Sequence, residues 1–248
     1  MTPTVKLISY TPNALALLLY TKNTRLQGAQ TLSDIEQWPE EKKLEHLAYM
    51  RNTIKSSWEF VDFVFEIKGV DKNFTHQLVR TRHGSYAQQS QRTVDVRGAG
   101  YTEIGDTQYN NIVDGALTAY GTMIDRGMPV QDARGILPGC VETEIIAKFN
   151  LRTLHEMAQV RLCTRAQGQY QAVFKLMKAV VVEVYPWAAD FIKVACAWNG
   201  VCIFPLYREC PVQPITILAS PTTLADIESV WERTNHAANP RAVDGKTM

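Results

Sequence analysis

The sequence predicts an α+β fold in which a sheet is flanked by long helices. Short stretches rich in Val, Ile, Phe and Tyr are typical of strands, and longer stretches with apolar residues every three or four positions are typical of helices. Of the 248 residues, 46% are hydrophobic, an ordinary share for a chain with a sizeable core. We expect one domain over residues 1–235 and a disordered tail over residues 236–248.

The first part of the chain predicts two strands and two helices. Val5–Tyr10 is expected to form a strand, and Pro12–Tyr20, rich in Ala and Leu, to form a helix that begins after the proline. Glu40–Thr53 has the apolar spacing of a second helix. Phe60–Ile67 is dense in Phe and Val, as expected of a strand that is buried on much of both faces, and Gly69 is expected to end it.

The next part predicts a capped helix, a loop and a strand. Asp71 is expected to cap a helix over Asn73–Arg82, because an aspartate oxygen accepts hydrogen bonds from the free backbone N–H groups of the first turn. Gly84 is expected to break that helix. The loop over residues 85–90 would then lead into a strand over Gln91–Val96.

The rest of the chain predicts mainly helices. Gln108–Arg126 is expected to end at Gly127 and to bury one stripe, formed by Ile112, Ala116, Ala119 and Met123. The segment from Asn150 predicts one long helix or two. Further helices are predicted over Pro129–Ile136, Gln169–Tyr185, Pro186–Cys196 and Thr223–Thr234.

Charge and cysteine content restrict the classes of partner. Because 26 Lys+Arg oppose 25 Asp+Glu, no global charge attracts nucleic acid or an anionic membrane, and any anion site must be local. The five cysteines form no Cys-x-x-Cys pair, which indicates reduced thiols rather than a zinc site. No apolar run approaches the roughly 20 residues of a membrane span, and the N-terminus lacks a cleavable pattern, so we expect a cytoplasmic protein.

One stretch, His76–Arg92, has the composition of a polyanion site. Arginine presents a planar fork of donors that matches phosphate oxygens, and serine and glutamine add neutral donors. The same composition is also typical of a charged helix end followed by a solvated polar loop. The candidate anion-binding side chains are Gln77, Arg80, Arg82, Gln88, Gln89, Ser90 and Arg92.

The spacing in this stretch resembles the signature of flavin-dependent thymidylate synthases, which is Arg-His-Arg, seven residues, then Ser. Here it stands as Arg80-Thr81-Arg82, seven residues, Ser90. Downstream, Asn150-Leu151-Arg152 resembles the family's Asn-x-Arg block. Arg161, followed by Ala166-Gln167, keeps the register of a third block without a gap.

The resemblance implies reductive methylation at C5 of a uracil nucleotide. Methylenetetrahydrofolate would supply the carbon, and FAD, reduced by NADPH, would supply the hydride, while the protein contributes positioning and electrostatics. It also implies a largely antiparallel sheet and a homotetramer with shared active sites. Alternatives are a UMP methylase, a hydroxymethylating variant, and a non-catalytic homologue that binds FAD or a nucleotide.

The resemblance also assigns residues. Arg161 is the expected catalytic residue, because a guanidinium at the uracil edge would stabilise negative charge as C5 becomes nucleophilic. Its alternative is a salt-bridge partner on a helix surface. The expected substrate-binding residues are Gln77, Arg80, Gln88, Gln89, Ser90, Arg92, Arg161 and Arg165. The expected cofactor-binding residues are Thr24, Glu59, Arg80, Thr81, Arg82, Gln88, Asn150 and Glu156, although Ser56 and Glu59 also fit a helix capping box.

Several positions depart from the family pattern. Thr81 stands where the signature has its middle histidine, and Arg165 stands where the third block has a histidine. Glu144 stands where an arginine is expected to hold the nucleotide phosphate, and exchanging arginine for glutamate replaces attraction by repulsion. Our hypothesis is that Arg165, with Ser90 and Arg92, has taken over the phosphate, or that the substrate or folate sits differently.

Overall fold

The computed structural model describes residues 1–25, 30–53 and 55–200, together with Cys202 and Cys210. The chain divides into two compact units, Met1–Ile192 and Lys193–Met248. The predicted helix Thr223–Thr234 and the tail over residues 236–248 lie outside the described residues. The single domain over residues 1–235 therefore stays a prediction.

The described elements confirm the predicted α+β class. The strands are β1 Thr4–Tyr10, β2 Asp62–Asp71, β3 Ser85–Gln88 and β4 Glu142–Asn150. The α-helices are α1 Ala14–Thr21, α2 Leu32–Glu36, α3 Glu40–Arg51, α4 Lys72–Leu78, α5 Thr107–Asp125, α6 Val130–Ala133, α7 Leu151–Arg161, α8 Gly168–Val184 and α9 Ala195–Asn199. Across the described ranges, each helix is too short or too polar to span a membrane.

The sheet has the order β1-β2-β4-β3, and each neighbouring pair is antiparallel. Alternation of side chains gives it one buried face, because successive residues of a strand point to opposite sides. Phe63 and Phe65 of β2 and Ala147 of β4 are fully buried on that face. Helix α8 packs against β1 and β2, so its apolar side covers these residues.

The predicted end of β2 was wrong. The strand continues through Gly69 to Asp71, and its pairing with β4 shifts register between Ile67 and Val70. Gly69 adopts φ +65°, and a Cβ at this position would lie 2.4 Å from the carbonyl oxygen of Thr2. Glycine therefore allows the bulge and the close passage of the N-terminal segment, so it does not end the strand.

The predicted helix over Asn73–Arg82 was too long. The Asp71 cap is confirmed, since Asp71 Oδ1 accepts from the Phe74 N–H at 2.8 Å, but α4 ends at Leu78. Arg80, which was expected inside this helix, therefore lies in the turn after it.

The predicted order of loop and strand after Gly84 was also wrong. The predicted loop contains β3, which pairs with β4, and the predicted strand Gln91–Val96 forms turns instead. No element was predicted for β4, although the inward residues Thr143, Ile145, Ala147 and Phe149 alternate with outward residues that are polar except for Ile146, in the pattern of a strand.

Two further helical predictions need correction. The buried residues of α5 are Val113 and Tyr120, whereas Ile112 of the predicted stripe is 63% exposed. Pro186–Cys196 is not one helix, since a 3₁₀ helix spans Pro186–Asp190 and α9 begins only at Ala195. Within the described residues, the other predicted helices are confirmed within a few residues, including the two after Asn150, and the one over Pro129–Ile136 consists of α6 and a 3₁₀ helix, Arg134–Ile136.

The predicted helix capping box formed by Ser56 and Glu59 was wrong. Ser56 lies inside a 3₁₀ helix, Lys55–Phe60, and so cannot be the cap of a helix that follows it. This short helix packs against α7 and buries Ser57 and Trp58. Its packing places Glu59 beside the first turn of α7.

The bulge at Gly69 gives a testable prediction about stability. Gly69→Ala should lower the free energy of unfolding by about 1–3 kcal/mol, because a non-glycine residue is strained at positive φ and its Cβ would collide with backbone. Urea denaturation followed by circular dichroism measures the change. In the control variant Gly115→Ala, on an open face of α5, the change should instead be neutral or stabilising by up to about 1 kcal/mol. Equal stability of Gly69→Ala and the wild type would contradict the assignment.

Candidate functional site

The Arg80-Thr81-Arg82 segment forms a turn between α4 and β3. Tyr86 of β3 anchors it, because its hydroxyl donates to the Thr81 carbonyl oxygen at 2.6 Å and lies 3.0 Å from that of Leu78. Burial raises the pKa of Tyr86 to about 12, so this hydroxyl keeps its proton at neutral pH. The turn is thus fixed from beneath while Arg80 and Arg82 stay exposed.

The exposed arginines of this stretch lack partners in the part of the chain that the structure describes. The side chains of Arg80, Arg82 and Arg92 make no ion pair or hydrogen bond with another residue that the structure describes. By contrast, Arg97 binds both Asp95 and Asp125, at 2.6 and 2.7 Å. Three guanidinium groups without described partners in one short stretch of sequence are suited to binding an anion.

Arg161 belongs to a small polar cluster. Its Nη1 donates to Gln77 Oε1 at 3.4 Å, and its guanidinium carbon lies 4.1 Å from the centre of the Tyr170 ring. Gln77 in turn donates from Nε2 to Gln167 Oε1. The cluster joins α4, the end of α7 and the start of α8, which are distant in sequence. Among the described residues, Arg161 therefore has no salt-bridge partner on the helix surface.

The glutamines after the turn face β4. Gln88 Nε2 lies 3.1 Å from Thr75 Oγ1 and 3.5 Å from Thr143 Oγ1, and the Gln89 N–H donates to the Glu144 carbonyl oxygen at 3.0 Å. Gln89 and Glu144 also border a cavity of about 310 Å³. The Glu144 carboxylate lies 3.6 Å from Lys68 Nζ, so its charge is partly balanced within the sheet.

The start of α7 holds a second charged cluster. Asn150 caps the helix through Oδ1, which accepts from the Thr153 N–H at 2.8 Å. Arg152 donates from Nη1 to Glu59 Oε1 at 2.6 Å and from Nε to Glu156 Oε1 at 3.1 Å. Both predicted cofactor-binding glutamates therefore share one arginine. Sequence analysis gave Arg152 no role, although its place in the Asn150-Leu151-Arg152 block was a usable signal.

A buried histidine supports this cluster from inside. His155 Nδ1 lies 2.8 Å from the Phe191 carbonyl oxygen, and its Nε2 lies 2.9 Å from Lys55 Nζ and 2.7 Å from Gln159 Nε2. These partners favour the neutral tautomer with the proton on Nδ1, since both groups at Nε2 can donate. Burial lowers the pKa of His155, and nearby Lys55 lowers it further, whereas the Phe191 carbonyl and Glu156 oppose the shift.

The predicted site residues thus fall into connected groups within one protomer. Gln77 and Arg161 are in contact, and Glu59, Glu156 and Asn150 lie around the first turn of α7. Described contacts do not link Ser90 or Arg92 to Arg161, and Arg165 is exposed just beyond α7. The side chain of Thr24 lies outside the described residues, so its predicted role is not addressed.

A family model described as "Thymidylate synthase complementing protein" matches residues 6–187. The chain belongs to this family. Among its relatives, the flavin-dependent thymidylate synthase of Pyrococcus furiosus is 31% identical over 246 residues, which cover 92% of this chain and 96% of the relative. The enzyme of the same name from Geobacter sulfurreducens is 37% identical over 142 residues, but this match covers 53% of this chain and 61% of the relative.

A solved structure supports the fold. The UMP/dUMP methylase PolB from Streptomyces cacaoi, determined with 5-Br dUMP, has a TM-score of 0.64 to this chain at 18% identity and covers 77% of this chain and 94% of its own. At that identity the likeness establishes the architecture. The family assignment confirms the predicted resemblance to flavin-dependent thymidylate synthases. It also confirms the prediction that the chain is an enzyme of the methyltransferase class.

The hydrogen-bond donors of the arginines in this chain fit an anionic flavin nucleotide. Arg80 and Arg82 are exposed guanidinium groups without described partners, and they can bind phosphate oxygens without breaking an ion pair. Arg152 is held by two carboxylates but is still 43% exposed, so part of its donor set can reach a ligand. These residues fit the cofactor that the resemblance predicts.

The buried histidine gives a prediction about pH. A histidine whose pKa is lower in the folded chain than in the unfolded chain takes up a proton on unfolding. The free energy of unfolding should therefore be highest above about pH 6.5 and should fall as the pH drops towards the folded-state pKa of His155. In His155→Gln this fall should be smaller, whereas the exposed control His83→Gln should keep the wild-type profile. Urea titrations between pH 5 and 8, a range of about three units, test this, and identical profiles for all three proteins would contradict it.

Proposed function

We propose that this chain catalyses flavin-dependent reductive C5-methylation of a uracil nucleotide, converting dUMP to dTMP or UMP to 5-methyl-UMP. Methylenetetrahydrofolate and NADPH would be the co-substrates and FAD the cofactor. The observation that carries the proposal is that Arg80, Arg82 and Arg92 have no partner among the described residues, while Arg161 is held by Gln77 and the ring of Tyr170. The names of the relatives and of PolB support a flavin and a uracil nucleotide.

Arg161 would bind the pyrimidine edge and act as the catalytic residue. Making C5 nucleophilic builds negative charge on the pyrimidine carbonyl before C5 attacks the one-carbon unit, and a guanidinium held in place stabilises that charge without reorganising. When bound and reduced by NADPH, FAD would supply the hydride that completes the methyl group. The C5 proton leaves in exchange, and this exchange makes the reaction measurable by tritium release.

The arginines of the signature turn would bind phosphates. Arg80 and Arg82, with the backbone of Thr81, would contact the flavin and nucleotide, and Ser90 and Arg92 would lie near the nucleotide phosphate. Gln88 and Gln89 follow this turn in the chain and contact residues of β4. Glu59, Asn150, Arg152 and Glu156 would contact the cofactor at the start of α7, which lies roughly 14 Å from Arg161 along the helix axis.

The site would be shared between protomers of a homotetramer. Ser90 and Arg92 are exposed and make no described contact with Arg161 of the same chain. A second protomer could place its own signature turn against Arg161. This arrangement would let one nucleotide contact both groups.

Turnover with labelled nucleotides tests the proposal. Full-length protein supplied with FAD, NADPH and methylenetetrahydrofolate should release tritium from C5-labelled dUMP or UMP. Arg161→Ala should lower kcat by roughly 10²–10³-fold, as expected for the loss of one preorganised donor. Arg126→Ala, which removes an exposed arginine at the end of α5, is the control and should retain activity. No release from either nucleotide, with FAD bound, would favour the non-catalytic homologue, and product mass separates methylation from hydroxymethylation.

The hypothesis that Arg165 binds the nucleotide phosphate needs a separate test. Arg165→Ala should weaken binding of dUMP or UMP by about 10–100-fold, because charge-assisted hydrogen bonds are lost. Binding of the corresponding nucleosides, which lack the phosphate, should not change. Calorimetric titration measures both affinities. Unchanged nucleotide affinity would show that Arg165 does not hold the phosphate.

A further inference from the structure

Arg161 is supported by an aromatic ring that sequence analysis did not assign. Its guanidinium carbon lies 4.1 Å from the centre of the Tyr170 ring, within the range of a cation–π contact. The other described contact of the guanidinium, to Gln77 Oε1, is long at 3.4 Å. The guanidinium at the end of α7 is therefore located by a long hydrogen bond on one side and by the face of an aromatic ring on another.

The ring itself is rigidly held. Tyr170 lies in the first turn of α8 and is fully buried. It packs edge to face against Phe74 of α4, with ring centres 5.0 Å apart and planes at 81°. Phe74 is also fully buried. The wall beneath Arg161 thus consists of two core residues from different helices and does not depend on an exposed side chain.

The hydroxyl of Tyr170 contributes little to this arrangement. It lies near the side chains of Thr81 and Arg161 but makes no hydrogen bond of ordinary geometry with a described residue. Burial raises the pKa of Tyr170, against the opposing effect of Arg161, so the ring remains neutral. The aromatic face, which phenylalanine also has, is the part that contacts Arg161.

We propose that Tyr170 is a positioning residue for Arg161, and that its ring holds the guanidinium in the orientation in which it binds the uracil edge. This inference rests on the proposed function, because it assumes that Arg161 contacts the nucleotide. It adds a residue outside all three blocks of the family resemblance. Without the ring, the long side chain of Arg161 would sample many rotamers and would lose affinity for the nucleotide.

Three single variants separate the ring from general packing. Tyr170→Phe keeps the ring and should bind dUMP or UMP within about twofold of the wild type. Tyr170→Leu removes the ring and should weaken binding by roughly 5–30-fold, the range expected for a desolvated cation–π contact. Phe174→Leu, at another fully buried aromatic residue of α8, is the matched control, and it should lower thermal stability without changing nucleotide affinity.

A double-mutant cycle shows whether Tyr170 acts through Arg161. In the Arg161→Ala background, Tyr170→Leu should cause no further loss of affinity, since the cation that the ring positions is absent. Calorimetry on the full-length, FAD-loaded protein measures all affinities. Additive losses, or equal losses for Tyr170→Phe and Tyr170→Leu, would overturn the inference alone. A wild-type protein that binds neither dUMP nor UMP would overturn the proposed function and this inference with it.

Discussion

The site depends on the junction between β4 and α7. Asn150 is the last residue of β4, where it pairs with Asp62, and its side chain caps α7. Because strand pairing fixes Asn150 and the cap fixes the helix direction, the position of Arg161 along α7 follows from the sheet register. Arg152 and Arg161 then reach opposite ends of one rigid helix. A shift in the pairing of β2 with β4 would displace both clusters together.

Ion pairing distinguishes Arg97 and Arg152 from the arginines of the signature turn. Arg97 and Arg152 are each held by two carboxylates, so much of their charge is balanced by the protein. Arg80 and Arg82 have no such partner among the described residues, and the turn that carries them is held by Tyr86 instead. Neutral hydrogen bonds thus fix this backbone while its cations stay available to an anion.

Local signals in the sequence predicted the elements whose ends are set locally. The Asp71 cap and the end of α5 at Gly127 follow from neighbouring residues, and both were correct. The early end of α4 depends on Tyr86, which lies on another element, and no local pattern shows it. The contact of Arg161 with Tyr170 joins two helices, so spacing alone could not reveal it. The block resemblance found Arg161 but not its support.

Glu144, which stands where the family resemblance predicts an arginine, has an ion-pair partner in the sheet. Lys68 lies 3.1 Å from Glu66 and 3.6 Å from Glu144, so one cation lies between two carboxylates on the central strands β2 and β4. A phosphate placed there would meet net repulsion. By contrast, Arg80, Arg82 and Arg92 have no ion-pair partner among the described residues. These charges favour the signature turn, rather than the part of β4 around Glu144, for the anionic ligand that we propose.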